Sequence, residues 1–276
     1  MSFHSVPATT DDRPIGVFDS GIGGITVLRE LVKNFPNEKF IYLGDTARLP
    51  YGSKSAETVR NYSVQNLKFL LSRNVKALIV ACNTASTQIF EDHYEACPVY
   101  NVITPGAKLA SEKTVNKKIA VLATRATIKA GSYTKKIHSH LPDAEVFTQA
   151  CPLFVPLAEE GWHDDPITNL IAFRYLQNLK AAAIDTVVLG CTHYPLLKSS
   201  IEKVFGPHVQ LIDSGEAMAL QIAEDFSNGK IKPNATSGPA ITIALTDTSE
   251  HFENLSTALL RPVSTINISF ETVSVI

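Results

Sequence analysis

Between Ile15 and Asp213 the chain alternates short apolar runs with longer amphipathic segments, and this alternation restricts the fold more than any other feature of the sequence. The run "IGVFDS" from Ile15 is followed by "GITVLRELVKNF", and "KFIYLGD" is followed by "SAETVRNYSVQNLKFLLSRN". In the second amphipathic segment Val59, Leu67, Leu70 and Leu71 fall near one 3.6-residue stripe, while Arg60, Lys68 and Arg73 lie off it. That is the period of a helix with one buried face. The apolar runs continue through "ALIVAC", "PVYNVI", "KKIAVLAT", "AEVFTQ", "TVVLG" and "VQLID", each short and continuous rather than alternating. Parallel strands covered on both faces read this way. The expected class is α/β with doubly wound parallel sheets.

A faint internal echo adds to this. "IGVFDSGIGG" from Ile15 resembles "IAVLATRATI" from Ile119, and a strand-ending cysteine follows each at a similar interval, Cys82 after the first and Cys191 after the second. Two similar domains facing each other across a cleft would account for it, with both cysteines at strand C-termini, where open α/β sheets bind ligands. Chance likeness between two α/β units is the competing explanation. "ITPGAKLA" at 103–110 carries Pro-Gly, a break signal, and is the expected crossing between the halves. A return crossing is expected after Val209, where "SGEAMALQIAEDF" reads as one more helix. This assigns 1–104 plus 213–276 to a first domain carrying Cys82, and 105–212 to a second carrying Cys191. The stretch 228–238, rich in Gly, Pro, Asn and Lys, reads as a loop before a final strand, helix and strand.

At 276 residues, 45% hydrophobic and 19% charged, the chain can bury one large core or two of ordinary size. Its 25 basic and 27 acidic residues are spread along the length, with no basic stripe for nucleic acid. The first 14 residues lack the apolar run of a signal peptide, and no uninterrupted apolar segment is long enough to cross a bilayer. A cytoplasmic protein working on small molecules, without nucleic-acid or membrane partners, is the expectation. In that compartment the four cysteines stay reduced, and no two of them stand in the close pair typical of a metal site.

Within "LIVACNTAS" (78–86) and "VVLGCTHYP" (187–195) an apolar run ends in a thiol and polar donors follow at once. The thiolate is the basic and nucleophilic form of cysteine, and a strand end that opens a helix favours the anion through unpaired N–H groups and the helix dipole. Cys82 precedes "NTASTQIFEDHYEA" and Cys191 precedes "THYPLLKSSIEKVFG", both read as helices. Asn83, Thr84 and Thr192 add side-chain donors suited to a carboxylate. Either cysteine alone would pass for a small buried hydrophobe; the pair in matching contexts points to function. Asp19 and Ser20 stand at the tip of the first strand, and Gly21, Gly23 and Gly24 permit a tight turn but lack the spacing of a nucleotide loop. Tyr51 and Gly52 lie mid-way along "GDTARLPYGSKS", a loop at a sheet edge where ligand contacts gather, unless it is ordinary surface. His193 reads either as a structural histidine or as a proton relay. Glu159 and Glu160 read as exposed acids before a turn, and Cys97 and Cys151 as structural.

"FDSGIGG", "GDTARLPYG", "ACNTAS" and "GCTHYP", in this order from residue 18 to 195, resemble the glutamate racemases of bacterial cell-wall synthesis. Aspartate racemases of the same superfamily are similar around the cysteines but usually carry Glu in place of His193. The resemblance implies racemisation of glutamate without a cofactor or metal, one cysteine thiolate removing the α-proton and the other cysteine's thiol returning one to the opposite face. It assigns Cys82 and Cys191 as the two bases. Asp19, Glu159 and His193 become auxiliary residues that set thiol protonation, with Glu160 the alternative to Glu159. Ser20, Tyr51, Gly52, Asn83, Thr84 and Thr192 become substrate contacts, together with Asp19 and His193. Assembly is left open, a homodimer being one option. The rival functions are racemisation of another acidic amino acid, a non-catalytic amino-acid-binding module, and a redox or metal role for the thiols.

Overall fold

The computed structural model describes residues 10–235, 240–263 and 267–275. The N-terminal stretch 1–9 and part of the loop expected at 228–238 lie outside the described residues. In chain order the first part contains β1 (Ile15–Asp19), α1 (Ile25–Asn34), β2 (Phe40–Gly44), α2 (Ala56–Ser72), β3 (Ala77–Val80), α3 (Asn83–Ser86), β4 (His93–Tyr94), β5 (Cys97–Asn101) and α4 (Ile103–Lys113). Then follow β6 (Lys118–Ala123), α5 (Arg125–Ala130), α6 (Ser132–His140), β7 (Glu145–Ala150), α7 (Phe154–Glu159), α8 (Pro166–Lys180), β8 (Thr186–Gly190), α9 (Lys198–Phe205) and β9 (Gln210–Asp213). The chain ends with α10 (Ser214–Ser227), β10 (Ala240–Leu245), α11 (Glu250–Leu260) and β11 (Asn267–Thr272).

Two sheets result. The larger has the order β11-β10-β2-β1-β3-β5-β4 and the smaller β7-β6-β8-β9. All pairings are parallel except that of β4 with β5. Four strands repeat one pattern: β2-β1-β3-β5 in the first sheet corresponds to β7-β6-β8-β9 in the second. The echo between Ile15 and Ile119 therefore joins equivalent strands, β1 and β6, and the two cysteines follow the next equivalent pair, β3 and β8. This is the expected pair of doubly wound α/β domains.

The inner strands are buried along their whole length because helices cover both faces. Val17, Ile79, Ile243 and α1, α10 and α11 form one core, and Phe18, Leu78, Val80 and α2 form another across the sheet. The second sheet is sandwiched likewise, Leu122 and Leu189 facing α7 and α8, Val121 and Val188 facing α4 and α6. Strand β7 departs from the expectation of cover on both faces. It is an edge strand of intermediate and exposed residues, which explains its weaker apolar run.

Three further expectations are corrected. The stretch 103–110 does cross from one sheet to the other, but as α4 rather than as a break. Pro105 falls in its first turn, where a missing N–H leaves no helical bond unmade. After Cys82 the helix lasts only one turn, α3. There Thr87 Oγ1 donates to Thr84 O at 2.7 Å, and Ser86 Oγ donates to Val80 O at 3.0 Å, so local hydroxyls take the carbonyls that a longer helix would use or pull its end back to the strand. The remainder of "NTASTQIFEDHYEA" turns into the β4–β5 hairpin. After Cys191 a 3-10 turn over Tyr194–Leu197 comes first, and α9 starts only at Lys198. Among the described residues no helix is long and apolar enough to cross a membrane.

Candidate active site

Cys82 and Cys191 leave the carboxyl ends of β3 and β8 and line one cavity of about 240 Å³. Each is 6% exposed. Of the residues expected at the site, Ser20, Tyr51, Gly52, Asn83, Thr84, Glu159, Thr192 and His193 line the same cavity. Asp19 does not; it lies fully buried behind Thr192, whose Oγ1 donates to Asp19 Oδ2 at 3.2 Å. Glu160 is exposed and lines only a neighbouring surface pocket, whereas Glu159 lines both that pocket and the cavity with the cysteines.

The two sulfurs have different neighbours. Cys82 caps α3, its Sγ accepting from Ala85 N at 3.5 Å, with Ser20 Oγ 3.8 Å away. Burial, and then the nearby charge of Asp19, push this thiol well above the usual thiol range. This runs against the expectation that the strand-to-helix setting favours its anion, because burial outweighs what a one-turn helix can offer. Cys191 Sγ lies 3.8 Å from His193 Nδ1, and His193 Nε2 lies 3.0 Å from Glu159 Oε1. Burial alone would discharge His193, but the Cys191 sulfur and the Glu159 carboxylate outweigh it, and the imidazolium is stabilised up to about 10. Burial raises Asp19 above the ordinary carboxylate range, against the pull of His193 and the Gly21 and Thr192 donors.

The glycines of "FDSGIGG" serve close approach rather than unusual backbone angles, for none of them has positive φ. A Cβ on Gly23 would fall 2.5 Å from His193 Nδ1, and one on Gly24 would fall 2.6 Å from the Tyr42 hydroxyl. The first sheet's turn is thus pressed against the Cys191–His193 segment of the second. Thr26 Oγ1 crosses the same seam to donate to Thr192 O at 2.8 Å. On the other side Tyr133 OH donates to Asn83 Oδ1 at 2.6 Å, Asn83 Nδ2 donates to Ser214 Oγ at 3.3 Å, and Thr84 Oγ1 is 3.0 Å from Thr124 Oγ1.

The loop after β2 is held by groups whose roles the sequence did not reveal. Asp45, fully buried, accepts from Arg48 Nε and from the Tyr51 hydroxyl, while Asn66 Nδ2 reaches Tyr51 OH at 3.0 Å. Arg48 also donates to Gln65 and Asn66 of α2. Tyr51 therefore lines the cavity while its hydroxyl is engaged in this network. Thr124, Arg125, Pro152, Val155 and Pro156 line the cavity as well and were not singled out. For Thr124 and Arg125 the signal was available: the echo aligns Asp19-Ser20-Gly21 with Ala123-Thr124-Arg125.

Residues 15–222 match the family described as Asp/Glu/Hydantoin racemase. A glutamate racemase of a Sulfurihydrogenibium species is 45% identical over 258 residues, covering 92% of this chain and 96% of that one. One from Geobacter metallireducens is 48% identical over 229 residues, 82% of this chain and 85% of that one. The crystal structure of glutamate racemase from Francisella tularensis in complex with D-glutamate superposes with a TM-score of 0.86 at 38% identity, covering 96% of this chain and 98% of that one. Since the family match takes in both strand-end cysteines and the alignments run through both sheets, this chain belongs to the Asp/Glu/hydantoin racemase family.

Proposed function

We propose that this enzyme interconverts L- and D-glutamate by a two-base proton transfer between Cys82 and Cys191. The observation that carries the reading is that two thiols from equivalent strands of two sheets line one cavity small enough for an amino acid. Racemisation needs a proton acceptor and a proton donor on opposite sides of one α-carbon, and two equivalent sheet edges meeting at a cavity supply two such positions. In one direction the Cys191 sulfur, faced by the His193 imidazolium, takes the α-proton as the C–H bond breaks. The electron pair stays on carbon, and the Cys82 thiol delivers its proton to the other face. In the reverse direction the roles exchange. No redox change occurs, and no group other than the two sulfurs has to carry the proton.

The α-proton of an amino acid is a poor acid, so the carbanion-like transition state depends on oriented donors in a water-poor site. Ser20, Asn83, Thr84 and Thr192 are the donors in this reading, with Tyr51 and Gly52 shaping the wall. Asp19, Glu159 and His193 set proton placement. Division into units 1–104 plus 213–276 and 105–212 is part of the proposal. Its support is that α10 packs into the first sheet's core through Met218 and Ile222, while α4 packs into the second's through Ala107 and Ala110. Supply of D-glutamate for cell-wall peptidoglycan in the cytoplasm is the role this assigns.

The test is incubation of each glutamate enantiomer with the purified protein in D₂O, following the α-proton by NMR and the rotation by circular dichroism. Deuterium is expected at the α-carbon from either enantiomer, with convergence on the racemate. Absence of exchange from both would end the reading.

A further inference from the structure

We propose that Arg125 is a substrate-steering and specificity residue at the mouth of this cavity, recruiting the second carboxylate of a dicarboxylic amino acid. This rests on the racemase reading above and deepens it. Apart from the two thiols and the Tyr51 phenol, the ionisable side chains lining the cavity are Arg125, Glu159 and His193. His193 and Glu159 are paired at 3.0 Å and offset one another. Arg125 is exposed, and none of the ion pairs or side-chain hydrogen bonds among the described residues involves its guanidinium. Among the described residues Arg125 is thus the one cationic side chain of the cavity lining without an ion-pair partner. Glutamate has two carboxylates and one ammonium, a net charge of −1, whereas its neutral amide analogue has none. An unpaired guanidinium on the exposed part of the lining is complementary to the carboxylate that glutamate carries and its amide lacks.

The base of the side chain is fixed. Thr124, the preceding residue, bonds to Thr84 at 3.0 Å and to Thr127 at 3.0 Å, and a Cβ on Gly52 would fall 3.0 Å from Thr124 Cβ. Arg125 therefore stands at the seam where the Cys82 turn, the 51–53 loop and β6 meet. Its counterpart in the internal echo is Gly21, which has no side chain. The steering charge is present on one side of the cavity only. A rim charge of this kind acts on association and its salt dependence more than on the bond-making step.

The test compares Arg125→Ala, Arg125→Lys and Arg125→Glu with the unaltered chain by steady-state kinetics over a range of salt, and by calorimetric binding of glutamate and glutamine. For Arg125→Ala, KM and Kd for glutamate are expected to rise roughly tenfold, with kcat within about twofold and the fall of kcat/KM with salt flattened. Glutamine binding is expected to stay unchanged. Lysine should restore most of the loss and glutamate should deepen it. Retention of Kd and salt dependence in Arg125→Ala, or a fall in kcat at constant KM, would overturn the proposal. Calorimetry reads binding without turnover, so failure of wild-type racemisation would be recognised separately. Unchanged thermal unfolding excludes a folding defect at this exposed position.

Discussion

At the end of β3 the Cys82 sulfur is buried beside a hydroxyl, a backbone N–H and the field of a buried carboxylate; at the end of β8 the Cys191 sulfur meets an imidazole that is itself held by Glu159. The strands are equivalent in topology, and the cysteines follow them at equivalent points. Their surroundings are not equivalent. Asp19 at the tip of β1 corresponds to Ala123 at the tip of β6, and Ser20 corresponds to Thr124. A duplicated framework thus places two like sulfurs at equivalent strand ends, while unlike neighbours surround them: a hydroxyl and a backbone N–H at Cys82, an imidazole at Cys191.

The comparison breaks most sharply at the sulfurs. Cys82→Ala and Cys191→Ala are each expected to lower racemisation by on the order of 10⁴-fold, the upper range for loss of an acid–base group, with the far-ultraviolet dichroism unchanged. Full activity in either variant would remove that cysteine from the chemistry and leave the symmetry of the halves without functional meaning.

A second expectation concerns the frame of the first half. Arg48→Ala leaves the Asp45 carboxylate buried without the guanidinium whose Nε bonds to it, and frees the loop that carries Tyr51 and Gly52. A stability loss of about 3–5 kcal/mol is expected, the range for breaking one side of a buried pair. Urea unfolding would measure it, and a change below about 1 kcal/mol would show that the loop is held by packing instead.

The smallest effect sharpens the asymmetry itself. His193→Asn is expected to cost roughly ten- to a hundredfold in turnover and to change the pH dependence. In the folded protein His193 is raised to about 10, against a usual value near ~6.5. Its contribution to stability is therefore fully present below about 6.5 and is lost as pH rises through 10. Thermal unfolding between those limits should fall with pH more steeply for the unaltered chain than for the variant. Identical slopes would mean that the imidazolium facing Cys191 is not stabilised by folding.

Much of the fold was legible because its signals are local. The apolar runs marked nearly every strand of the two sheets, since a strand covered on both faces needs apolar residues at every position. The β4–β5 hairpin escaped notice because β4 is two residues long and "HYEACP" has no periodicity to read. The length of α3 was misjudged because the hydroxyls of Ser86 and Thr87 serve a cap and a turn as readily as a helix. At the site, the cysteines and their polar followers announced themselves by abrupt changes of character within a few residues. Glu159 could be placed only through resemblance, since nothing near it in the chain marks it out.

What the sequence determined by itself is the α/β class, the echoed halves and the identity of the two sulfurs, all of which are written in neighbouring residues or in their period. Which carboxylate faces His193, that Gly23 is a contact surface for that ring, that Asp45 ties Arg48 and Tyr51 to Asn66, and that Arg125 has no ion-pair partner among the described residues were decided by tertiary structure alone. The physical reason is that each of these depends on groups brought together from separate turns of the fold, and electrostatic and steric complementarity between them exists only after the sheets have packed.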